Sequence, residues 1–311
     1  MNIIPVLKKI GWMAAGLLLV AGNCMQSVAQ AAKGQKTFPT ASAAAAALVA
    51  ASRSDDEAEL LAILGPDGKD LIDSGDPVAD KISREKFVKS YTAKHSLTTQ
   101  AQGIKTLVIG PNDYPMPIPI VRDGSTWYFD SARGHDEVLH RRIGENELGA
   151  IAVCEGYVEA QKQYASTGHD GLPKGIYAQK FSSDPGKQNG LYWEVAPGKP
   201  QSPMGPAVAD AAAEGYTGGS GPAPYHGYFY KLLKEQGPDA PGGAKSYLAD
   251  GKLSGGFALL AYPANYGNGG IMTFIVDQDG TILQKDLGDD TVNAAKQITA
   301  YNPDDSWSPA E

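Results

Sequence analysis

The chain has 311 residues, 42% of them hydrophobic and 20% charged, and its 27 basic and 35 acidic residues leave a net charge of −8. An acidic chain without a Lys/Arg run argues against nucleic acid and anionic membrane as partners. The 37 glycines and 21 prolines follow no period, which excludes collagen-like and β-helical architectures and leaves a loop-rich globular protein.

Residues 1–31 read as an export leader. Lys8 and Lys9 form a short positive region, Gly11 to Ala21 an apolar run too short to span a membrane, and Ala29-Gln30-Ala31 a small-x-small cleavage site. The expected location is the periplasm or the medium, with no membrane span after cleavage. A lipidated Cys24 is the alternative, but Gly22 and Asn23 before it fit a lipidation box poorly. Cleavage removes two lysines and no acid, leaves a charge of −10, and makes Cys154 the sole cysteine, so no intramolecular disulfide can form. The remaining residues, about 280, suffice for two cores.

Phe38-Pro39-Thr40 opens an alanine-rich helix, ASAAAAALVAAS, of strong intrinsic helix preference. Ser54 with Glu57 reads as a capping box for a second helix that Gly65 stops, and Ser83 as the N-cap of a third, SREKFVKSYTAKH. The pattern then turns to period two. IKTLVIG, PIPIVRD and TWYFD are strands, with Asp123-Gly124 as a hairpin turn. Residues 36–140 are thus expected as an N-terminal domain of helices on an antiparallel sheet, which loosely resembles the nuclear-transport-factor-2-like and cystatin-like folds.

HDEVLH, His135 to His140, comes close to the H-E-x-x-H helix of zinc proteases. Two histidines share a zinc from one helix when they stand four apart; a spacing of five puts them about 140° apart around it. The stretch reads instead as a helix or turn leaving a domain, with Asp136 and Glu137 early and His140, Arg141 and Arg142 late, as the helix dipole favours.

A second domain is expected over 145–300, with a tail over 301–311. It opens on an amphipathic helix, ENELGAIAVCEGYVEAQKQYA. Ala150, Ile151, Val153, Cys154, Tyr157, Val158, Tyr164 and Ala165 fall on one half of it, opposite Glu155, Glu159, Lys162 and Gln163. Cys154 is therefore a buried thiol rather than a nucleophile. Gly168 to Tyr225 is rich in Gly, Pro and Ser, with GIYAQKF and LYWEV as short strands and PAVADAAAEGY as a helix. YHGYFYKLL, FALLAYP, MTFIVD and TILQKDL follow as strands, the last two joined by the turn Asp277-Gln278-Asp279-Gly280. The fold class is α+β in two domains, the second a long helix plus an antiparallel sheet with long Gly/Pro-rich loops.

The runs RRIGENELGAI, FSSDPGKQNGLYWEV, SPMGP, PYHGYFYKLLKEQGPDAPGGAKSY, GGFALLAYPANYGNGGIMTFIVDQDGTILQKDLG and NPDDSW resemble the exported bacterial family known as domain of unknown function 2950. The likeness covers almost all of the chain beyond the leader and carries no catalytic residue. The C-terminal half is more weakly similar to the globular heads of type IV pilins and pseudopilins, although in pilins the long helix continues from an N-terminal membrane anchor.

Chemical motifs are sparse. Ser83-x-x-Lys86 lacks the S-D-N and K-T-G partners of penicillin-recognising enzymes, and Gly218-Gly219-Ser220-Gly221 is no nucleophile elbow because Pro222 follows. Gly65-Pro66-Asp67-Gly68-Lys69 lacks the spacing of a phosphate loop. Asp277, Asp279, Asp286, Asp289 and Asp290 could offer oxygen ligands to calcium, but the D-x-D-x-D-G loop is incomplete and a hairpin turn explains Asp279-Gly280. No metal or cofactor is expected. A binding site is placed at Tyr192, Trp193, Tyr225, His226 and Tyr228, beside Gly215, Gly218, Gly219 and Gly221, whose backbones allow close approach. The same aromatic residues would equally suit a small core.

The functional expectation is a non-enzymatic binding or envelope-associated module, recognising a peptide, glycan or protein of the cell envelope. The alternative is a periplasmic hydrolase using His226 as general base. Intact-mass measurement of the exported protein is expected to give a chain beginning at Ala32; a retained Met1 or a lipidated Cys24 would contradict the leader reading.

Overall fold

The computed structural model describes residues 30–196, 198–216 and 223–310. All but the last two residues of the proposed leader lie outside them, as do Gly218, Gly219 and Gly221. No helix of the described residues is long and apolar enough to cross a membrane.

Helix α1 (Ala41–Ser54) starts where the Thr40 hydroxyl accepts from Ala43 N and ends at Asp55, which is left-handed with φ 56°. Helix α2 (Glu57–Leu64) is capped by Asp56, whose carboxylate accepts from Glu59 N at 2.9 Å, so the expected Ser54 box lies two residues too early. Gly65 ends α2 as expected, and the short α3 (Lys69–Ile72) follows. Helix α4 (Pro77–Ala93) begins at Asp76 with Pro77 in its first turn, which leaves Ser83 inside the helix rather than at its cap. Proline fits this position because its missing N–H would have no partner there.

Strands β1 (His95–Ala101), β2 (Ile104–Ile109), β3 (Tyr114–Pro115), β4 (Ile120–Asp123) and β5 (Thr126–Phe129) form an antiparallel sheet in the order β1-β2-β4-β5, with β3 also on β2. Leu48 of α1 and Leu60 and Ile63 of α2 are buried with Leu107, Ile120 and Phe129 of this sheet.

Helix α5 (Ser131–Ala165) is continuous over 35 residues. The helix expected from Glu145 therefore begins at Ser131, and HDEVLHRR is part of it. The Ser131 hydroxyl donates to the Leu64 carbonyl at 2.7 Å, tying the start of α5 to the end of α2. Helix α6 is Gly205–Glu214. GIYAQKF and LYWEV make only single bridges, Tyr177 with Leu253 and Ser182 with Tyr192, instead of strands.

Strand β6 (Tyr228–Leu233) comes next. The short strands β7 (Glu235–Gln236) and β8 (Lys245–Ser246) pair with each other, as do β9 (Leu248–Ala249) and β10 (Lys252–Leu253). Strands β11 (Ala258–Pro263), β12 (Met272–Asp277) and β13 (Ile282–Asp286), helix α7 (Thr291–Gln297) and strand β14 (Ser308–Pro309) complete the chain. The second sheet is antiparallel in the order β14-β13-β12-β11-β6. Strands β11 and β12 are buried along nearly their whole length, as continuous apolar runs require, and Cys154, Tyr157 and Val158 of α5 join their core. The residues expected as a tail are docked: β14 extends the sheet and Trp307 packs on its core. The protein is thus α+β, with helices and an antiparallel sheet in its N-terminal part, then a long helix and a second antiparallel sheet.

Gly134 lets α5 close on the segment between β3 and β4. A Cβ there would stand 2.7 Å from the Cα of Ile118. Gly134→Ala is expected to lower stability by about 1–3 kcal/mol in urea unfolding, because the overlap outweighs the better helix propensity of alanine. Gly144→Ala, where a Cβ would meet nothing within 4 Å, is expected to raise it by about 0.5–1 kcal/mol.

Candidate ligand-binding cleft

Four positions of α5, Gly149, Ala152, Val153 and Gly156, lie at helical spacing on one face and form the wall of a cleft of about 680 Å³. Pockets of this size, roughly 300–1,000 Å³, are typical of small-ligand sites. The opposite wall is α6, through Pro206, Ala207, Val208 and Ala211. Phe229 and Tyr230 of β6 and Tyr262 of β11 supply the aromatic side. Alanines and a first-turn proline make α6 helical, and left-handed Gly215 (φ 101°) ends it, yet none of its residues is buried. The two helices therefore face each other without their side chains closing the gap.

Glycine inside a helix costs about 1 kcal/mol relative to alanine. At Gly134 that cost is offset by close packing, and at Gly149 the His226 side chain sits 3.6 Å from the position of a Cβ. At Gly156 no described atom comes within 4 Å of that position. What Gly156 contributes is open volume in the cleft.

His226 stands where this cleft meets a second one of about 460 Å³, whose lining includes Ser83, Lys86, Arg141, Glu145 and Asn146. Its backbone is left-handed, φ 49°, an unfavourable conformation for a residue with a side chain. Neighbouring groups hold it there. The buried Asp76 carboxylate accepts from Gly227 N at 3.0 Å and from the Tyr216 hydroxyl at 2.9 Å, while capping α4 through Ala79 N at 3.1 Å. The same Tyr216 oxygen accepts from His226 N at 3.3 Å. Burial, and then the negative charge of Asp76, push the Tyr216 phenol well above its ordinary range, so it remains a donor. The His226 ring lies edge-on to Tyr225 at 4.2 Å, and its Nε2 is 3.3 Å from the Glu214 carboxylate at the end of α6.

Of the residues expected to form a site, Tyr225 and His226 meet at this cleft. The others do not line it. Tyr228 is fully buried, its hydroxyl donating to the Met272 carbonyl at 2.9 Å. Trp193 packs against Tyr164 and His169, and Tyr192 is held by its backbone, donating to the Phe181 carbonyl. The α5 and α6 walls were missed by sequence reasoning; the signal for the α5 wall was Gly149 and Gly156, seven residues apart on one helical face.

Cys154 is fully buried, and burial followed by the Glu155 charge pushes its thiol up to about 12, so it is no nucleophile near neutral pH. His135 contacts Asp70 and Asp136, whereas His140 is exposed. Among the described residues no group of three or more His, Cys, Asp or Glu side chains could hold a metal.

A fold of this class with one apolar cleft and one polar cleft meeting at a histidine is what the geometry defines. The family described as "Protein of unknown function (DUF2950)" matches residues 35–310, and the chain belongs to it. Neither a curated protein nor a solved structure matches the chain.

Asp76→Ala removes a helix cap worth about 0.5–2 kcal/mol and orphans the buried Gly227 N–H, at about 1–3 kcal/mol. A clear fall in the urea midpoint is expected; an unchanged midpoint would mean that Asp76 does not hold the His226 turn.

Proposed function

We propose that the protein is an exported, non-enzymatic binding module that holds a ligand of the cell envelope in the cleft between α5 and α6. The observation that carries this reading is the chemistry of the walls. Small apolar side chains and aromatic rings surround about 680 Å³, and the described lining contains one imidazole and neither a thiol, an aliphatic hydroxyl nor a carboxylate. Such a surface gains free energy by excluding water from an apolar ligand and offers no nucleophile to attack it. The acidic charge of the chain supports a partner other than nucleic acid.

One contact supports a second reading. The Glu214 carboxylate, 3.3 Å from His226 Nε2, could orient and charge-stabilise the imidazole while it removes a proton from water, as a periplasmic hydrolase would require.

Nile red, an apolar dye that brightens out of water, separates the two. Saturable binding at one site is expected, lost in Ala211→Phe, which enlarges a side chain of the cleft wall on the unburied α6, and retained in His135→Ala and His140→Ala. No dye binding, together with hydrolysis of p-nitrophenyl esters that His226→Ala and Glu214→Gln both abolish, would favour the hydrolase.

A further inference from the structure

We infer that the ligand is a single-chain amphiphile with a zwitterionic head, its alkyl chain between α5 and α6 and its head beyond His226 in the polar cleft. This rests on the binding reading above and names the ligand class for the same site. The juxtaposition of the two clefts carries it: His226 lines both, so a molecule passing the imidazole leaves an apolar trough and enters a charged one.

The walls select against the other envelope ligands. A glycan needs many hydrogen-bonding partners, whereas Gly149, Ala152, Val153 and Gly156 have no polar side-chain atom to offer. A peptide could instead add to the open edge of β6. That edge is taken at Tyr228 by the backbone of Tyr225 and just past its end by Tyr247, whose N–H donates to the Lys234 carbonyl. A peptide along the rest of the trough could pair only with the edge groups of Tyr230 and Leu232 and would bury its other backbone N–H and C=O groups against the apolar walls of α5 and α6, a cost that an alkyl chain does not carry.

Charge balance selects the head. Asp80, Glu145 and Glu214 in the polar cleft are matched by Lys86, Arg141 and Arg142. Both arginines are committed: Arg142 donates to the Asp70 and Leu71 carbonyls at 2.7 and 2.6 Å and to Asn268, and Arg141 to Glu137 and Tyr114. Lys86 has only a loose, solvent-exposed pair with Glu145 at 3.6 Å. Lys86 is thus a cation free to turn to an anionic group, and Glu214, beside His226, an anion free to face a cationic one. A head with both charges engages Lys86 and Glu214 at once, exchanging the loose 3.6 Å Lys86–Glu145 pair for a closer one, while a head of one sign engages only one of the two.

The test displaces Nile red from the protein, purified without detergent, by dodecyl compounds kept below their micelle concentrations. Dodecylphosphocholine is expected to displace the dye about tenfold more tightly than dodecanoate or dodecyltrimethylammonium, a difference of about 1.4 kcal/mol. Gly156→Phe should weaken dodecylphosphocholine by tenfold or more, in the order-of-magnitude sense of that same scale, without lowering the melting temperature, because its Cβ meets no described atom and phenylalanine suits a helix better than glycine. Lys86→Ala and Glu214→Gln should bring the affinities for dodecylphosphocholine and the uncharged dodecyl maltoside closer together. Equal displacement by all four compounds, insensitive to Lys86 and Glu214, would overturn the zwitterionic head. Dye binding that no dodecyl compound displaces would overturn the amphiphile and leave the binding module standing. Failure of the dye itself to bind would remove both.

Discussion

Helix α5 reaches both cores, and the rest of the structure follows from how it is held. At about 1.5 Å per residue its 35 residues run for roughly 50 Å. Ser131 and Gly134 bury the first turn against the end of α2 and against Ile118, and Ala150 to Tyr164 bury the last turns on the C-terminal sheet. The middle is gripped by polar contacts. Arg142 donates to two carbonyls of α3 and to Asn268, the amide of Asn146 donates to the Gly269 carbonyl, and the Asn268 amide donates to the Asp73 carbonyl. Burial lowers the Arg142 pKa and raises that of Asp80 nearby, the direction each takes when its charged form loses water. Such contacts contribute orientation more than net stability. Directional bonds at residues 142 and 146 fix the rotation of the helix, and that rotation decides which later residues meet the sheet and which face the cleft.

With the rotation set, the face at Gly149, Ala152, Val153 and Gly156 borders the cleft, open at Gly156 where a Cβ would meet nothing within 4 Å among the described residues, and α6 comes to it as an opposite wall without a buried residue of its own. A helix in that position gains little from burial, and a short helix is marginal on its own. Its C-terminal end is nevertheless held, by a left-handed glycine cap at Gly215 and by Tyr216, whose hydroxyl reaches Asp76. Two parts of the chain that are 140 residues apart in sequence thus position one wall of the cleft.

Much of this is legible in the sequence. Strands with a clear apolar pattern, such as FALLAYP and MTFIVD, and the alanine-rich α1 stand where the pattern places them. Strand β1, HSLTTQA, was missed because nearly every residue in it is exposed, so no buried face alternates with an open one. The first part of α5 hid for a related reason: HDEVLHRR touches mostly water and polar partners, and Gly134 and Gly144 look like breaks. The start of α4 was misplaced although Asp76-Pro77 carried the signal, because Ser83 offers an equally good cap within the same helix. At the site, an aromatic run beside glycines pointed to Tyr225 and His226. Nothing local distinguishes them from Tyr228, whose side chain enters the core. The α5 wall was invisible for a deeper reason: periodicity sorts a helix into an apolar and a polar half, and a cleft-facing strip of small residues belongs to neither.

The backbone at His226 bears on what the cleft is for. A left-handed conformation costs a residue with a side chain about 1–2 kcal/mol, and glycine would relieve it. Gly227 follows immediately, also at positive φ, so glycine serves the very next position of the same turn. At 226 the chain carries an imidazole instead, and Asp76 and Tyr216 hold the turn through Gly227 N and His226 N. A buried carboxylate, a half-buried phenol and a strained backbone are a large outlay for a packing residue, since the His226 side chain remains about one-third exposed (34%) beside Tyr225, Tyr216 and Glu214. Strain retained around an incompletely buried side chain at the junction of two clefts is accounted for by the position of that side chain. The imidazole divides apolar space from charged space, and α4, α5 and α6 all contribute to keeping it there.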